Sequence, residues 1–245
     1  MSKEQNIILE GIDLRYEIVG DSYAPIVKIN LNAGEKVKIE RGAMVYKRDV
    51  ELVGKMNSKS SGLGGVLSAM GRSLVSGESL FITEAVGQFA NSELGVAPSN
   101  IGKIHKLEVG KEQYRLNTGA YLASDDEVFY KMVKQSVSKA FFGGTGGLFV
   151  METSGKGDIL IASFGDIVEM EVTPDKPLSI DNANVLAWSN NLDYRIGVSS
   201  GVFGFKTGEG LVNTFTGKGT VLIQSRNIQE LARTVARYIP QNSGS

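Results

Sequence analysis

The sequence predicts an all-β protein: three tandem repeats of a β-sandwich or double-stranded β-helix unit with pseudo-threefold symmetry, plus short insert helices and a C-terminal helix. Two observations support this fold class. The 245-residue chain holds 30 glycines and 5 prolines, and glycines in a chain rich in Val, Ile, Leu, Phe and Thr typically punctuate short strands. Similar sequence segments also recur three times, at a spacing of about 65 residues.

The front halves of the three repeats begin at Val27, Ile104 and Ile167. In each, apolar residues alternate with polar ones, as in Val168, Met170 and Val172, which is the period of a strand with one buried face. Turn-forming residues separate two such strands, so each repeat is predicted to open with a hairpin. The alignment places in one column Leu31, Leu107 and Met170.

The back halves repeat as well, because "GKGDILIAS" (155–163) matches "GKGTVLIQS" (217–225) at nearly every place. The predicted segments are a lead at 1–25, repeats at 26–103, 104–166 and 167–226, a C-terminal helix at 227–240 and a tail at 241–245. A unit of about 65 residues buries too little surface to be stable alone. We therefore expect the three copies to share one core in a compact arrangement.

Three stretches have the apolar spacing of amphipathic helices. Two are inserts, at 62–75 and 131–142. The third is the C-terminal "NIQELARTVARYIP", whose apolar stripe consists of Ile228, Leu231, Val235 and Tyr238. Pro240 is expected to end it.

Composition excludes several classes of protein. Lys and Arg number 26 against 27 Asp and Glu, so the chain lacks the charge of a general nucleic-acid binder. The absence of cysteine excludes disulfides, thiolate metal sites and a Cys nucleophile. The N-terminus has a short apolar run and does not resemble a signal peptide, and no stretch is apolar enough for a spanning helix. We expect a cytoplasmic protein without a cofactor.

Four motifs, "RYEIVG", "AGEKVKIERGAMV", "GESLF" and "GKGTVLIQSR", occur in this order. With them the chain resembles, over roughly residues 13–226, the family named for altered inheritance of mitochondria protein 24. The resemblance implies a fold like that of the tryptophan RNA-binding attenuation protein, used three times. The resemblance implies no catalytic residues. The mitochondrial members of this family are linked to inner-membrane organisation. The loop at 88–93 and the N-terminal dozen residues depart from the family pattern.

The glycine-rich text at 141–166 is predicted to form turns rather than a phosphate site. A P-loop needs GxxxxGK followed by Ser or Thr at the start of a helix. Here Gly155 and Lys156 are followed by Gly157 and then by a strand. The dinucleotide-binding fingerprint also fails, because its third glycine is absent.

His105 is the single histidine, so neither a cupin-type metal site nor a conventional Ser-His-Asp triad has the residues it needs. It aligns with Ile29 and Val168 and is expected to pack at a core edge, with a ligand contact or a pH-sensitive joint as alternatives. The acidic run at 125–127 aligns with polar residues in the other repeats and is interpreted as a turn.

Five residues are candidates for a partner interface. Trp188 aligns with Lys47 and Ser124, a column that tolerates charge, so it is expected to be exposed and to anchor an interface or to pack at a rim. The insert at 62–75 is expected to cover an end of the core or to contact a subunit or a membrane surface. Its candidate contact residues are Leu63, Val66, Leu67 and Met70.

The function predicted from sequence is that of a non-enzymatic scaffold or binding protein. We expect it to form homo-oligomers, to bind an unidentified protein partner and to contact a membrane peripherally, with nucleic acid an unfavoured ligand. The alternative is an RNA or small-ligand binding module, by analogy with the attenuator-like fold. A third hypothesis is an enzyme that relies on carboxylates such as Asp158 or Asp166.

Overall fold

The computed structural model describes residues 8–10, 14–20, 23–56, 81–135, 149–198 and 211–239. These residues form twenty strands, one α-helix, α1 (Ile228–Ala236), and two short 3-10 helices, Thr118–Ala120 and Asn182–Asn184. The strands are β1 (Ile8–Glu10), β2 (Arg15–Val19), β3 (Ile26–Leu31), β4 (Lys36–Ile39), β5 (Met44–Arg48), β6 (Val50–Met56), β7 (Phe81–Gly87), β8 (Ser92–Val96), β9 (Ile104–Val109), β10 (Tyr114–Asn117), β11 (Tyr121–Asp125), β12 (Val128–Lys134), β13 (Phe149–Gly155), β14 (Gly157–Ala162), β15 (Ile167–Val172), β16 (Leu178–Asp181), β17 (Val185–Ser189), β18 (Asp193–Val198), β19 (Leu211–Thr216) and β20 (Gly219–Gln224). The all-β class and the C-terminal helix are confirmed.

Burial follows the polarity of each strand. In β3 the side chains of Val27, Ile29 and Leu31 are buried and alternate with partly exposed ones, because one face of the strand packs on the core. Strands β11, β14 and β17 are buried along their whole length. Such continuous burial is typical of strands that are covered on both faces.

The strands form four sheets. The first sheet has the order β1-β2-β3-β8-β5 and the second β6-β7-β4-β11-β14-β9. The third has the order β12-β13-β10-β17-β20-β15 and the fourth β16-β19-β18.

The same pairing occurs in three successive segments of six strands, which begin at β3, β9 and β15. In each segment the first, third and sixth strands form one three-stranded group, and the second, fourth and fifth form another. The second and third sheets each join a group of one segment to a group of the next. The joining pairs are β4 with β11 and β10 with β17.

The third strand of each segment also has the same register shift against the sixth strand, which is the geometry of a β-bulge. The shifts lie between Met44 and Tyr46, between Tyr121 and Ala123, and between Val185 and Ala187. The pairing therefore defines which residues are equivalent. It places Ile29, rather than Leu31, with Leu107 and Met170. The sequence alignment was wrong by two residues for β3 alone, a shift that leaves each side chain on the same face, whereas its column of Lys47, Ser124 and Trp188 agrees with the pairing.

Three hydrophobic clusters lie in series between the sheets. The first joins the first and second sheets, as in Ile29 and Leu160. The second joins the second and third sheets, and the third joins the third and fourth. The single shared core expected from the sequence is therefore wrong for the described residues. No pairing among the described strands closes the three segments into a ring.

The predicted insert helices have different outcomes. The helix predicted at 131–142 is wrong at its start, because residues up to Lys134 continue β12 and pair with β13 along seven residues. Ladder hydrogen bonds and burial outweigh the local helical spacing there. Residues 136–142 and the insert at 62–75 lie outside the described residues.

Candidate functional site

Two strand junctions link the segments, and both have the same antiparallel register. One lies between β4 and β11 and the other between β10 and β17. The facing residues are Lys38 and Ser124, and Ile39 and Ala123, in the first junction, and Arg115 and Trp188, and Leu116 and Ala187, in the second.

The first junction is crossed by the cationic side chain of Lys38. Its Nζ donates hydrogen bonds to the carbonyl oxygens of Asp126 at 2.6 Å and Val128 at 2.9 Å, just beyond the end of β11. The same ammonium lies 4.3 Å from the ring centroid of Phe129. Lys38 is buried, so these contacts compensate for the hydration that its charge has lost.

Arg115 has the corresponding role in the second junction. Its Nη1 donates hydrogen bonds to the carbonyl oxygens of Asn190 at 3.1 Å and Leu192 at 3.4 Å, beyond the end of β17. Its Nε lies 3.1 Å from a carboxylate oxygen of Glu152. A cation in the middle of the first strand thus binds the turn that follows the partner strand in both junctions.

Strands β5 and β16 lie at the two ends of the series of sheets. Strand β5 is equivalent to β11 and β17, and β16 is equivalent to β4 and β10. Each is the last strand of its sheet among the described strands. Val45 in β5 is 50% exposed, whereas the equivalent Leu122 and Leu186 are 0% and 3% exposed. Met44 and Tyr46 are also exposed. Strand β5 carries a bulge and two basic residues, yet it leaves three apolar residues exposed on an unpaired edge, and such a patch suggests an interaction surface.

A second exposed apolar surface lies on the outer face of the third sheet. Val168 in β15 is 45% exposed, whereas the equivalent Val27 in β3 is fully buried. The first sheet is faced by the six strands of the second, while the third sheet is faced by the three strands of the fourth. We attribute the exposure of Val168 to this narrower cover among the described strands.

The polar residues at the two open edges differ from those at the internal junctions. Ser179 in β16 stands where Lys38 and Arg115 stand, and its Oγ lies 2.9 Å from Thr214 Oγ1. A cation occurs instead on the other edge, where Lys47 in β5 has the position of Ser124. Its Nζ donates to the carbonyl oxygen of Val50 at 2.9 Å. In the internal junctions the cation lies on the second strand of a segment, whereas at the open edges it lies on the third strand, β5.

A polar cavity of about 310 Å³ lies between β9 and the third sheet. It is lined by residues that include His105, Leu107, Glu112, Tyr114, Glu169 and Thr220. Burial lowers the pKa of His105, and the nearby charge of Glu169 partly opposes this. Burial, with the carboxylate of Glu112, raises the pKa of Tyr114 to about 12. The cavity therefore offers a neutral imidazole, a phenol and carboxylates, which suit a small ligand that carries hydrogen-bond donors or positive charge.

Helix α1 presents an uncovered apolar stripe. The side chain of Asn227 caps its start by accepting a hydrogen bond from Glu230 N at 2.9 Å. The predicted stripe is exposed along its length at Ile228, Leu231, Val235 and Tyr238.

Trp188 is not an exposed anchor, so that expectation from sequence is wrong. It is 1% exposed and packs with edge-to-face geometry on Tyr194 and Phe215, at centroid distances of 5.1 and 5.5 Å. Ser124, at the equivalent position, is also buried, so a polar residue in this column did not indicate an exposed position. The other candidates, Leu63, Val66, Leu67 and Met70, lie outside the described residues.

The remaining candidates from sequence make structural contacts. Asp158 is buried, with an oxygen 3.4 Å from Lys106 Nζ. Asp125 accepts a hydrogen bond from the backbone N of Asp158 at 2.6 Å. Gly155 has a φ of 91° in the predicted turn between β13 and β14. The open edges were missed, and the sequence carried no signal of them, because "AMVY" is no more apolar than the equivalent "AYLA" and "NVLA" of the buried strands.

Two features are absent from the described residues. None of their helices is long and apolar enough to cross a membrane. No group of three or more His, Asp or Glu side chains there is placed to hold a metal ion.

Comparison with known proteins identifies the family. Residues 16–226 match the model of the family described as Mitochondrial biogenesis AIM24. The chain is 46% identical over 232 residues to the uncharacterized protein M6_Spy0233 of Streptococcus pyogenes serotype M6, covering 94% of this chain and 93% of that one. It is also similar to the crystal structure of protein SPYM3_0169 from Streptococcus pyogenes, with a TM-score of 0.75, 44% identity, and coverage of 92% of this chain and 100% of that chain. This chain therefore belongs to the Mitochondrial biogenesis AIM24 family.

Proposed function

We propose that this protein is a non-enzymatic scaffold that self-associates and binds other partners on the assembled surface. The observation that carries the proposal is the exposure of Val45 and its neighbours in β5, at positions that are buried in both internal junctions. Burying such apolar surface contributes about 25 cal/mol per Å², so a copy that covers it gains stability.

A non-enzymatic role is favoured because the candidate carboxylates take part in the architecture. Asp158 is paired with Lys106. Asp166 lies 2.7 Å from Lys103 Nζ at an exposed position. Neither arrangement has the nucleophile, base and orienting group that covalent catalysis requires.

We further propose that the assembly acts at a membrane surface, in cytoplasm, through α1. An exposed apolar stripe with Arg233 and Arg237 beside it is typical of a helix that lies in a lipid interface. Several copies of α1 on one assembly would strengthen a weak individual contact. Sedimentation with vesicles containing anionic lipid tests this, and Leu231→Glu should abolish co-sedimentation. Equal sedimentation of the variant would refute it.

Self-association is tested by size-exclusion chromatography with light scattering over a range of concentrations. We expect a mass that is a multiple of 26.3 kDa. A mass of one chain at every concentration would contradict the scaffold proposal.

The alternative is a small-ligand binding module that uses the His105 cavity. Its volume of about 310 Å³ lies at the lower end of the range for small-molecule sites. Native mass spectrometry of protein purified from cells would show a bound mass, and Glu169→Ala should remove it. RNA remains unfavoured, and a filter-binding assay with mixed RNA at low salt checks this.

A further inference from the structure

The strand order assigns a partner to each open edge. The second strand of a segment pairs with the third strand of the following segment, as β4 does with β11 and β10 with β17. Among the described strands, β16 has no following segment and β5 has no preceding one. The two edges belong to the fourth and first sheets, with two complete sheets stacked between them. They are therefore placed to pair between chains rather than within one.

The internal junctions also specify the register. Ile180 is equivalent to Ile39 and Leu116, and Tyr46 is equivalent to Ala123 and Ala187. Since Ile39 faces Ala123, Ile180 should face Tyr46. By the same rule Ser179 faces Lys47.

We infer that β16 of one copy pairs antiparallel with β5 of a second copy, in the register of the internal junctions, and completes an antiparallel sheet of eight strands drawn from the two copies. This deepens the proposed function and depends on its claim that the protein self-associates. The occupant of each open edge is thus a second copy of this chain.

Burial at the two ends supports one shared interface. A second copy placed in this way adds β5, β8 and β3 to the fourth sheet. These strands would cover the outer face of β15 and β20, where Val168 is exposed, as β11, β14 and β9 cover Val27 in the first core. The same step would cover Val45. One contact thus accounts for both exposed apolar surfaces.

The polar residues also match across this interface. Lys38 faces Ser124 in the first internal junction, and Lys47 would face Ser179 in the new one. The pair has the same composition with the strands exchanged. A second lysine at the position of Ser179 would place two cations opposite each other, which destabilises a strand pair.

The interface is heterologous, because the surfaces on the two copies differ. Copies added head to tail form a closed ring if the rotation closes and an open row if it does not. A twofold dimer that pairs β5 with β5 is a different geometry and provides a clear alternative.

Cysteine cross-linking tests the pairing, since the chain has no cysteine of its own. Lys47→Cys and Ser179→Cys are made in separate proteins, mixed and oxidised. Facing residues in antiparallel strands have Cα atoms about 4.5–5.5 Å apart, within the reach of a disulfide. We expect a disulfide-linked dimer in the mixture and neither variant linked to itself.

The matched control is Asp181→Cys mixed with Lys47→Cys. The two positions are offset by two residues, at about 7–8 Å, and should link at least about tenfold more slowly. Equal linking of the control pair, or linking of Lys47→Cys to itself, would overturn the inferred pairing. If light scattering shows an oligomer and the facing pair does not link, the inference fails while the scaffold proposal stands. A monomer would overturn both.

Discussion

Lys38 Nζ donates a hydrogen bond of 2.9 Å to the carbonyl oxygen of Val128, ninety residues further along the chain. This contact joins the second strand of one segment to the start of β12, the strand that follows the partner strand in the next segment. Its counterpart, between Arg115 and Leu192, shows that the junction is a repeated structural device.

Replacing Lys38 by Met should destabilise the protein. The substitution leaves two buried carbonyl oxygens without their donor, at a cost of about 1–3 kcal/mol each. Part of this cost is offset because water can reach the oxygens and because the variant no longer buries a charge. Urea unfolding should show a loss of about 2–3 kcal/mol. Lys156→Met is the control, because its exposed pair with Glu127 should contribute less than about 1 kcal/mol. Equal losses in both variants would contradict the role of Lys38.

Removing the Trp188 side chain should weaken the third core. Truncating a fully buried aromatic residue to Ala typically costs about 3–5 kcal/mol. Urea unfolding of Trp188→Ala, followed by circular dichroism, measures the loss. In the native protein, acrylamide should quench the fluorescence of this single tryptophan poorly, and efficient quenching would show that the side chain is exposed.

Gly102→Ala should be strongly destabilising. An added Cβ would lie 2.2 Å from the carbonyl oxygen of Ser163 and 2.8 Å from the backbone N of Gly165. Backbone must move to admit the methyl group, which costs about 1–3 kcal/mol or more. Gly110→Ala is the matched control, because nothing lies within 4 Å of the added atom. Thermal unfolding compares the two, and a smaller loss in Gly102→Ala would refute the close approach.

His105 should make the protein less stable as the pH falls. Burial holds its pKa in the folded state below the ordinary value of about 6.5, so the unfolded chain binds more protons at acidic pH. The stability is present above about pH 6.5 and is lost as the pH falls toward the folded-state pKa. Urea unfolding between pH 7 and pH 5 should therefore show a steeper loss for the wild type than for His105→Asn. Parallel curves would show that His105 is equally solvated in both states.

Val45→Lys should abolish self-association and leave the single chain folded. The side chain is half exposed, so its replacement should change the stability of the chain by no more than about 0.5 kcal/mol. Light scattering should report one chain mass for this variant. Ile101→Lys is the control, because Ile101 is exposed and belongs to neither edge strand, so this variant should retain the oligomer. An unchanged mass in Val45→Lys would argue against β5 as the contact.

Much of the local structure could be predicted from the sequence. The alternation in Val27, Ile29 and Leu31 predicted β3, and the text around Gly155 predicted a turn between two strands. These features depend on residues close together in the chain. The stripe of α1 was equally readable, because a helix places residues three and four apart on one side.

The errors concern contacts between distant residues. Trp188 and Lys47 are equivalent in strand pairing, yet the first is buried and the second exposed. Trp188 is buried because β17 is a central strand and the fourth sheet packs on it, whereas Lys47 lies in an edge strand among the described residues. The alignment assumed that equivalent residues have the same surroundings in every repeat. This assumption fails at the two ends of the series, where a repeat has a neighbour on one side only.

The sequence by itself determined the all-β class, the turns and the amphipathic C-terminal helix, because these depend on local backbone preferences and on the periodicity of apolar residues. The tertiary structure decided how the segments join. Pairing β4 with β11 and β10 with β17 produces a series of stacked sheets with three cores. Such a series must expose an unpaired strand at each end, and this is why β5 and β16 became the candidate site.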